Sequence, residues 1–158
     1  MTRGLFLALT DAELEKLRAS RGDPARRGCL AEFEEALGAG RMQDTDKAWY
    51  ALYVMFTFGP LNQSPLDQVF AGGKRLHRAD YCLINLIEQE NREAISAALS
   101  KLTKPKLEEA FEAVSPGYFP SRPDKSPAAF RCLWDWYSKI RRFLRSVEGH
   151  VVFNAEFQ

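Results

Sequence analysis

Residues 44–53, Asp44-Thr45-Asp46-Lys47-Ala48-Trp49-Tyr50-Ala51-Leu52-Tyr53, join a charged head to an almost unbroken apolar run. Acidic side chains in the first turn of a helix face its unpaired N–H groups and the positive end of its dipole, so Asp44 and Asp46 predict a helix start. Trp49, Leu52, Tyr53 and Phe56 recur at helical spacing, and Tyr50, Val54, Met55 and Phe58 fill the positions between them. A helix that is apolar on all sides is buried on all sides. The stretch therefore predicts a core helix over about residues 46–58, closed by Gly59-Pro60. Its head has two readings: a cap plus an ion pair that fixes how the helix enters the fold, or a polar ligand site of Asp44, Asp46 and Lys47 beside Trp49.

Outward from this helix, residues 4–9 are apolar and read as a strand. Thr10 with Glu13 forms a capping box for a helix over 11–20. Asp23-Pro24 starts a second helix, with Pro at a position that needs no N–H, and Leu30, Phe33 and Leu37 form its apolar stripe up to Gly38. Residues 61–78 are rich in Pro, Gly and polar residues and read as a structured loop or a turn leading to a strand. Residues 81–87 read as a buried strand. Helices follow over 90–102 and from Thr103-Lys104-Pro105 to Val114, and the proline-rich segment 115–124 reads as an extended loop. Ser126-Pro127 opens the longest helix, on which Phe130, Leu133, Trp134, Tyr137, Ile140, Leu144 and Val147 keep the three-four spacing. Gly149 ends it, and residues 150–157 form a terminal strand expected to pair with residues 4–9. The fold class is α+β: five to six helices packed on a small, mainly antiparallel sheet that includes both chain termini.

With 158 residues, the chain fits one domain able to bury its own core. Its 22 basic and 21 acidic side chains leave a net charge of +1, so no overall field draws it to nucleic acid or to a membrane surface. Cys29, Cys82 and Cys132 lie far apart, in neither a disulfide framework nor a zinc motif, and read as reduced, mostly buried thiols. With no signal-peptide pattern and no apolar segment of membrane-crossing length, the expected location is the cytoplasm.

The Asp-x-Asp-Lys-x-Trp segment (Asp44, Asp46, Lys47, Trp49) with its aromatic helix resembles the signature of the bacterial YfbM-like family, a DUF1877-type domain of unknown function. Pro65-Leu66 through Ala71-Gly72-Gly73 is similar to that family's Pro-Leu…Leu-Gly-Gly loop, the helix holding residues 94–99 to its middle helix, and Tyr118-Phe119-Pro120 to its Tyr-Pro. Here Phe119 separates Tyr from Pro, and the family's Gly-Met-Ile-Gly opening is missing. The resemblance implies a small α+β domain with no established activity. Some relatives lie beside genes for secreted antibacterial toxins and look like immunity proteins, which is association rather than mechanism.

Chemistry-bearing residues are sparse. His77 and His150, the two histidines, flank turns, and a nucleophile system would need a cysteine or serine brought to one of them in space. Gly72-Gly73-Lys74 lacks the remainder of a phosphate loop, since Arg75 follows it. Lys74, Arg75, His77 and Arg78 form a basic loop, and Lys139, Arg141, Arg142 and Arg145 a basic stretch of the last helix. Both suit a solvated surface or an acidic partner. Tyr118, Phe119 and Trp136, with the basic loop, are the candidate partner-binding residues, Trp136 lying off the core stripe as an interface anchor if exposed. The leading expectation is a non-enzymatic binding protein, an immunity protein that neutralises a toxin domain by occlusion. It needs no metal or cofactor, takes another protein rather than nucleic acid or membrane as partner, and is a monomer or a weak homodimer. A third reading is a structural homodimer subunit that uses the terminal strand edges. The alternative is a small enzyme or ligand-binding domain whose pocket is walled by Asp44–Trp49 and the Tyr118–Pro120 loop.

Overall fold

A computed structural model describes residues 3–70, 74–79, 82–114 and 125–156, with the backbone alone at 23 and 77–79. Five strands form one antiparallel sheet: β1 (Gly4–Leu9), β2 (Met42–Asp46), β3 (Lys74–Ala79), β4 (Cys82–Ile87) and β5 (His150–Glu156), in the order β2-β1-β5-β4-β3. The described helices are α1 (Asp11–Ala19), α2 (Asp23–Ala36), α3 (Ala48–Thr57), α4 (Gln89–Lys101), α5 (Lys104–Ala113) and α6 (Pro127–Ser146).

The period of two along each strand divides the core. Leu5, Leu7 and Leu9 of β1 join Leu14 and Leu17 of α1 and Leu30 and Phe33 of α2 on one face. Phe6 and Ala8 face the other way, into a larger cluster with α3, α4, α5 and α6. Helices thus cover both faces, which is why β1 and β4 are buried along their whole length and read as continuous apolar runs. The expected pairing of the terminal strands holds, from Gly4↔Ala155 to Leu9↔His150. Each of these strands has a second neighbour, β2 beside β1 and β4 beside β5. The terminal strand edges are therefore filled, and the free edges belong to β2 and β3. That removes the edge on which a homodimer was expected to form.

The head of the core helix differs from expectation. Asp44 and Asp46 do not cap α3; they belong to β2, with Leu5↔Asp44 and Gly4↔Asp46 in register. Pairing with β1 outcompetes the cap, because the Thr45 hydroxyl, fully buried, donates to the Gly4 carbonyl at 2.7 Å. Asp46 then turns the chain with φ +45°, a left-handed conformation that aspartate tolerates better than most residues. Helix α3 starts after Lys47, which contributes no side-chain cap. Asp44 forms an ion pair with a residue that reading did not name: its Oδ2 accepts from Arg3 Nε at 2.6 Å, while its Oδ1 accepts from the Asp46 amide at 2.7 Å.

The rest of α3 behaves as its composition requires. Trp49 and Leu52 are fully buried, and the indole packs against Phe153 of β5 at 5.5 Å between ring centres. Phe58, just past the helix end, is instead 52% exposed. On α6 the stripe is as expected, with Ser126 accepting from the Ala129 amide at 3.1 Å as cap. The Tyr137 hydroxyl donates to the Leu99 carbonyl and fastens α6 to α4, and burial of the ring holds this phenol protonated well above its usual range. Arg92 of α4 donates to the Leu144 and Val147 carbonyls, closing the C-terminal end of α6. All three cysteines are free thiols, Cys29 and Cys82 buried and Cys132 exposed.

Candidate functional site

The residues of the sequence-derived sites fall in separate places. Asp44 is engaged by Arg3, Asp46 and Lys47 are exposed, and Trp49 is wholly within the core. Trp136 is half-buried rather than exposed, with the Lys139 ammonium 4.3 Å from its ring centre. Tyr118 and Phe119 lie outside the described residues. Lys74 and Arg75 are both exposed on β3, and residues 77 and 78 follow them on the same strand. What reads in sequence as a basic loop is thus a basic edge strand. A register irregularity between Arg75 and His77 interrupts its pairing with β4.

The chemistry around β3 is electrostatic. Lys74 Nζ lies 3.2 Å from Glu88 Oε1, an exposed pair that contributes little to stability. Arg26 of α2 reaches across the strand: its Nε donates to the Ser20 carbonyl at 2.9 Å and its Nη1 to the Leu76 carbonyl. Edge strands rich in cations resist pairing with copies of themselves, so a structural role is available to these side chains as well as a binding one.

Two grooves flank the turn after α6, and sequence alone drew attention to neither. One, of about 620 Å³, is lined by Thr10, Asp11, Arg41, Gln89 and residues 146–149. The other, of about 590 Å³, runs between Arg92, Ser96 and Ser100 of α4 and Arg145 of α6. Their arginines are structural. Arg41 donates to the Ala8 carbonyl at 2.9 Å and to Glu13, as Arg92 does to the end of α6. A lone arginine after a glycine-rich turn is the only sequence signal that marked Arg41. His150 opens β5 with its Nε2 2.7 Å from Asp11 Oδ1, its one hydrogen-bond partner among the described residues, and no nucleophile adjoins it there. Among the described residues no group of three or more His, Cys, Asp or Glu side chains comes together to hold a metal ion. No described helix is long and apolar enough to cross a membrane.

Glu13 makes a measurable prediction. Burial pushes its carboxyl up, but the Thr10 amide at 2.9 Å, Arg41 and the Thr10 hydroxyl together outweigh this and hold it below the ordinary value near 4.5. A group depressed in the folded state contributes stability above its unfolded value and loses it as pH falls through the folded one. Urea midpoints are therefore expected to drop below about pH 4.5, and Glu13→Gln to flatten part of that acid limb. Thr10→Ala, which removes the other half of the capping box, is expected to cost about 1 kcal/mol at neutral pH.

Fold and surface together define a class: a small α+β domain with an antiparallel sheet between two helical layers, no assembled catalytic set among its described side chains, and a cationic edge strand. The chain belongs to the DUF1877 family, a domain of unknown function, whose family model matches residues 1–151. Among solved structures it is similar to YfbM from Escherichia coli, a protein of unknown function. That likeness has 20% identity, 99% coverage of both chains and a TM-score of 0.67, and it shows the shared fold. No curated protein matches the chain.

Proposed function

We propose that this chain is a non-enzymatic cytoplasmic binding protein, and specifically an immunity protein that neutralises an antibacterial toxin by covering the toxin's working surface. The observation that carries this reading is the exposed cationic edge of β3, with Lys74 and Arg75 in solvent on a rigid sheet whose neighbouring strand β4 is buried along its length. Occlusion requires a preformed complementary surface and slow dissociation, not a reactive group. A charged, rigid patch supplies the first of these and speeds encounter with a partner of opposite sign. The resemblance to proteins encoded beside toxin genes points the same way.

The test is protection. The gene neighbourhood is expected to hold a toxin gene, and cells expressing that toxin domain are expected to grow when this chain is co-produced and to die without it, with the two proteins eluting together by size exclusion; absence of a toxin-like neighbour would count against the proposal. Death at equal toxin levels in the presence of the folded chain would overturn the proposal.

A further inference from the structure

Strand β3 departs from the charge balance of the molecule. The whole chain has 22 basic and 21 acidic side chains, yet the six residues Lys74-Arg75-Leu76-His77-Arg78-Ala79 hold three formal cations and a histidine with no acid. The inner side of the strand pairs with β4, from Lys74↔Leu86 to Ala79↔Cys82. Among the described residues no strand lies on its outer side and no main chain of another element bonds to it there; one of its carbonyls, that of Leu76 at the register irregularity, accepts from the Arg26 side chain. Arg75 forms no ion pair there, and Lys74 has only its exposed contact with Glu88.

A second copy is a poor occupant for this edge. Two β3 strands side by side would set cation against cation, which destabilises a ladder. The opposite edge, β2, carries acids, but Asp44 is already held by Arg3 at 2.6 Å and by the Asp46 amide at 2.7 Å. The charge that repels a copy attracts an acidic strand.

We propose that β3 receives an extended acidic segment of a partner protein as a sixth strand. Its main chain pairs with the groups of this edge that Arg26 leaves unused, and its carboxylates lie against Lys74 and Arg75. Six residues at about 3.3 Å each give a contact about 20 Å long, enough for a segment of five or six residues. Such strand addition takes affinity from main-chain hydrogen bonds and selectivity from side chains. The inference rests on the binding-protein reading above and supplies the chemistry of the partner.

The probe is an eight-residue peptide alternating glutamate and valine, titrated into isotope-labelled full-length protein and followed by amide shifts and amide exchange. Binding that weakens with salt and slows exchange along β3 is expected. Arg75→Glu is expected to weaken it about tenfold or more, equivalent to about 1.4 kcal/mol, and Lys139→Glu on α6 to leave it unchanged. N-methylation of alternate peptide amides, which keeps the charge but removes strand pairing, is expected to abolish it. Absence of binding, equal binding of the methylated peptide, or shifts confined to another surface would overturn the proposal, as would an Arg75→Glu protein that merely self-associates. If Arg75→Glu still protects cells from toxin, the edge assignment falls and the binding-protein reading stands. If the peptide binds β3 but the wild-type chain gives no protection, the immunity role falls and the acidic-strand site stands.

Discussion

Gly4→Ala is expected to destabilise the protein by on the order of 3 kcal/mol or more, toward the upper end of what overpacking does in a filled core. A Cβ at this position would stand 2.6 Å from Thr45 Oγ1, 2.7 Å from Trp49 Cγ and 2.8 Å from Trp49 Cδ1. Neither neighbour has room to yield. Thr45 and Trp49 are both fully buried, the hydroxyl is bonded back to the Gly4 carbonyl, and the indole is wedged against Phe153. Against a total stability of roughly 5–15 kcal/mol this is a large loss. For a chain of this length it corresponds to a fall in Tm of roughly 6–12 °C, read by circular dichroism at neutral pH. Gly4→Ala combined with Trp49→Leu should cost less than the sum of the two single changes, because they share one cavity. An unchanged Tm would mean that β2 does not lie on β1 in this register.

Gly149→Ala is expected to cost about 2–4 kcal/mol, and a companion variant separates the two causes. Gly149 has φ +84° and Gly22 has φ +83°, so alanine meets positive-φ strain at both positions. At Gly22 a Cβ would find nothing within 4 Å, whereas at Gly149 it would sit 2.5 Å from the Leu9 carbonyl oxygen. That oxygen belongs to β1, an inner strand, where Leu9 pairs with His150, and it cannot swing aside. Gly22→Ala should therefore cost only the backbone strain of its φ +83°, ψ 158° conformation, about 1–3 kcal/mol. The difference between the two urea midpoints measures the steric contribution, and equal losses would refute it.

What the sequence disclosed follows from how local each signal is. The capping box at Thr10, the helix starts at Thr103-Lys104-Pro105 and Ser126-Pro127 and the stripe on α6 are decided within a few residues, and each is found as expected, the Thr103 and Ser126 hydroxyls serving as caps. The terminal strands are apolar enough to declare themselves, and their pairing is found too. Strands β2 and β3 were not legible, because Met-Gln-Asp-Thr-Asp and Lys-Arg-Leu-His-Arg-Ala are poor strand formers alone and take their conformation from the neighbours they pair with. The acids before α3 were misread for that reason: a cap and an edge strand have the same polarity, and only the distant residues of β1 decide between them. The basic cluster was visible in composition, but its place at the end of the sheet was not. Arg41 and Arg92 act on carbonyls 33 and 52 or more residues away, beyond the reach of any short window.

The position of β1 between β2 and β5 bears on how the molecule comes to exist. Its register with β5 runs from Gly4 opposite Ala155 to Leu9 opposite His150, so one of its two ladders has to wait until residues 150–155 have been synthesised. Until then an apolar strand has an unsatisfied side during translation, and closure of the sheet depends on contacts of the longest sequence separation, the kind that slows folding. Assembly of the sheet is thus held open by its own topology, and β5 is the keystone that joins the β1 side of the sheet to the β4 side.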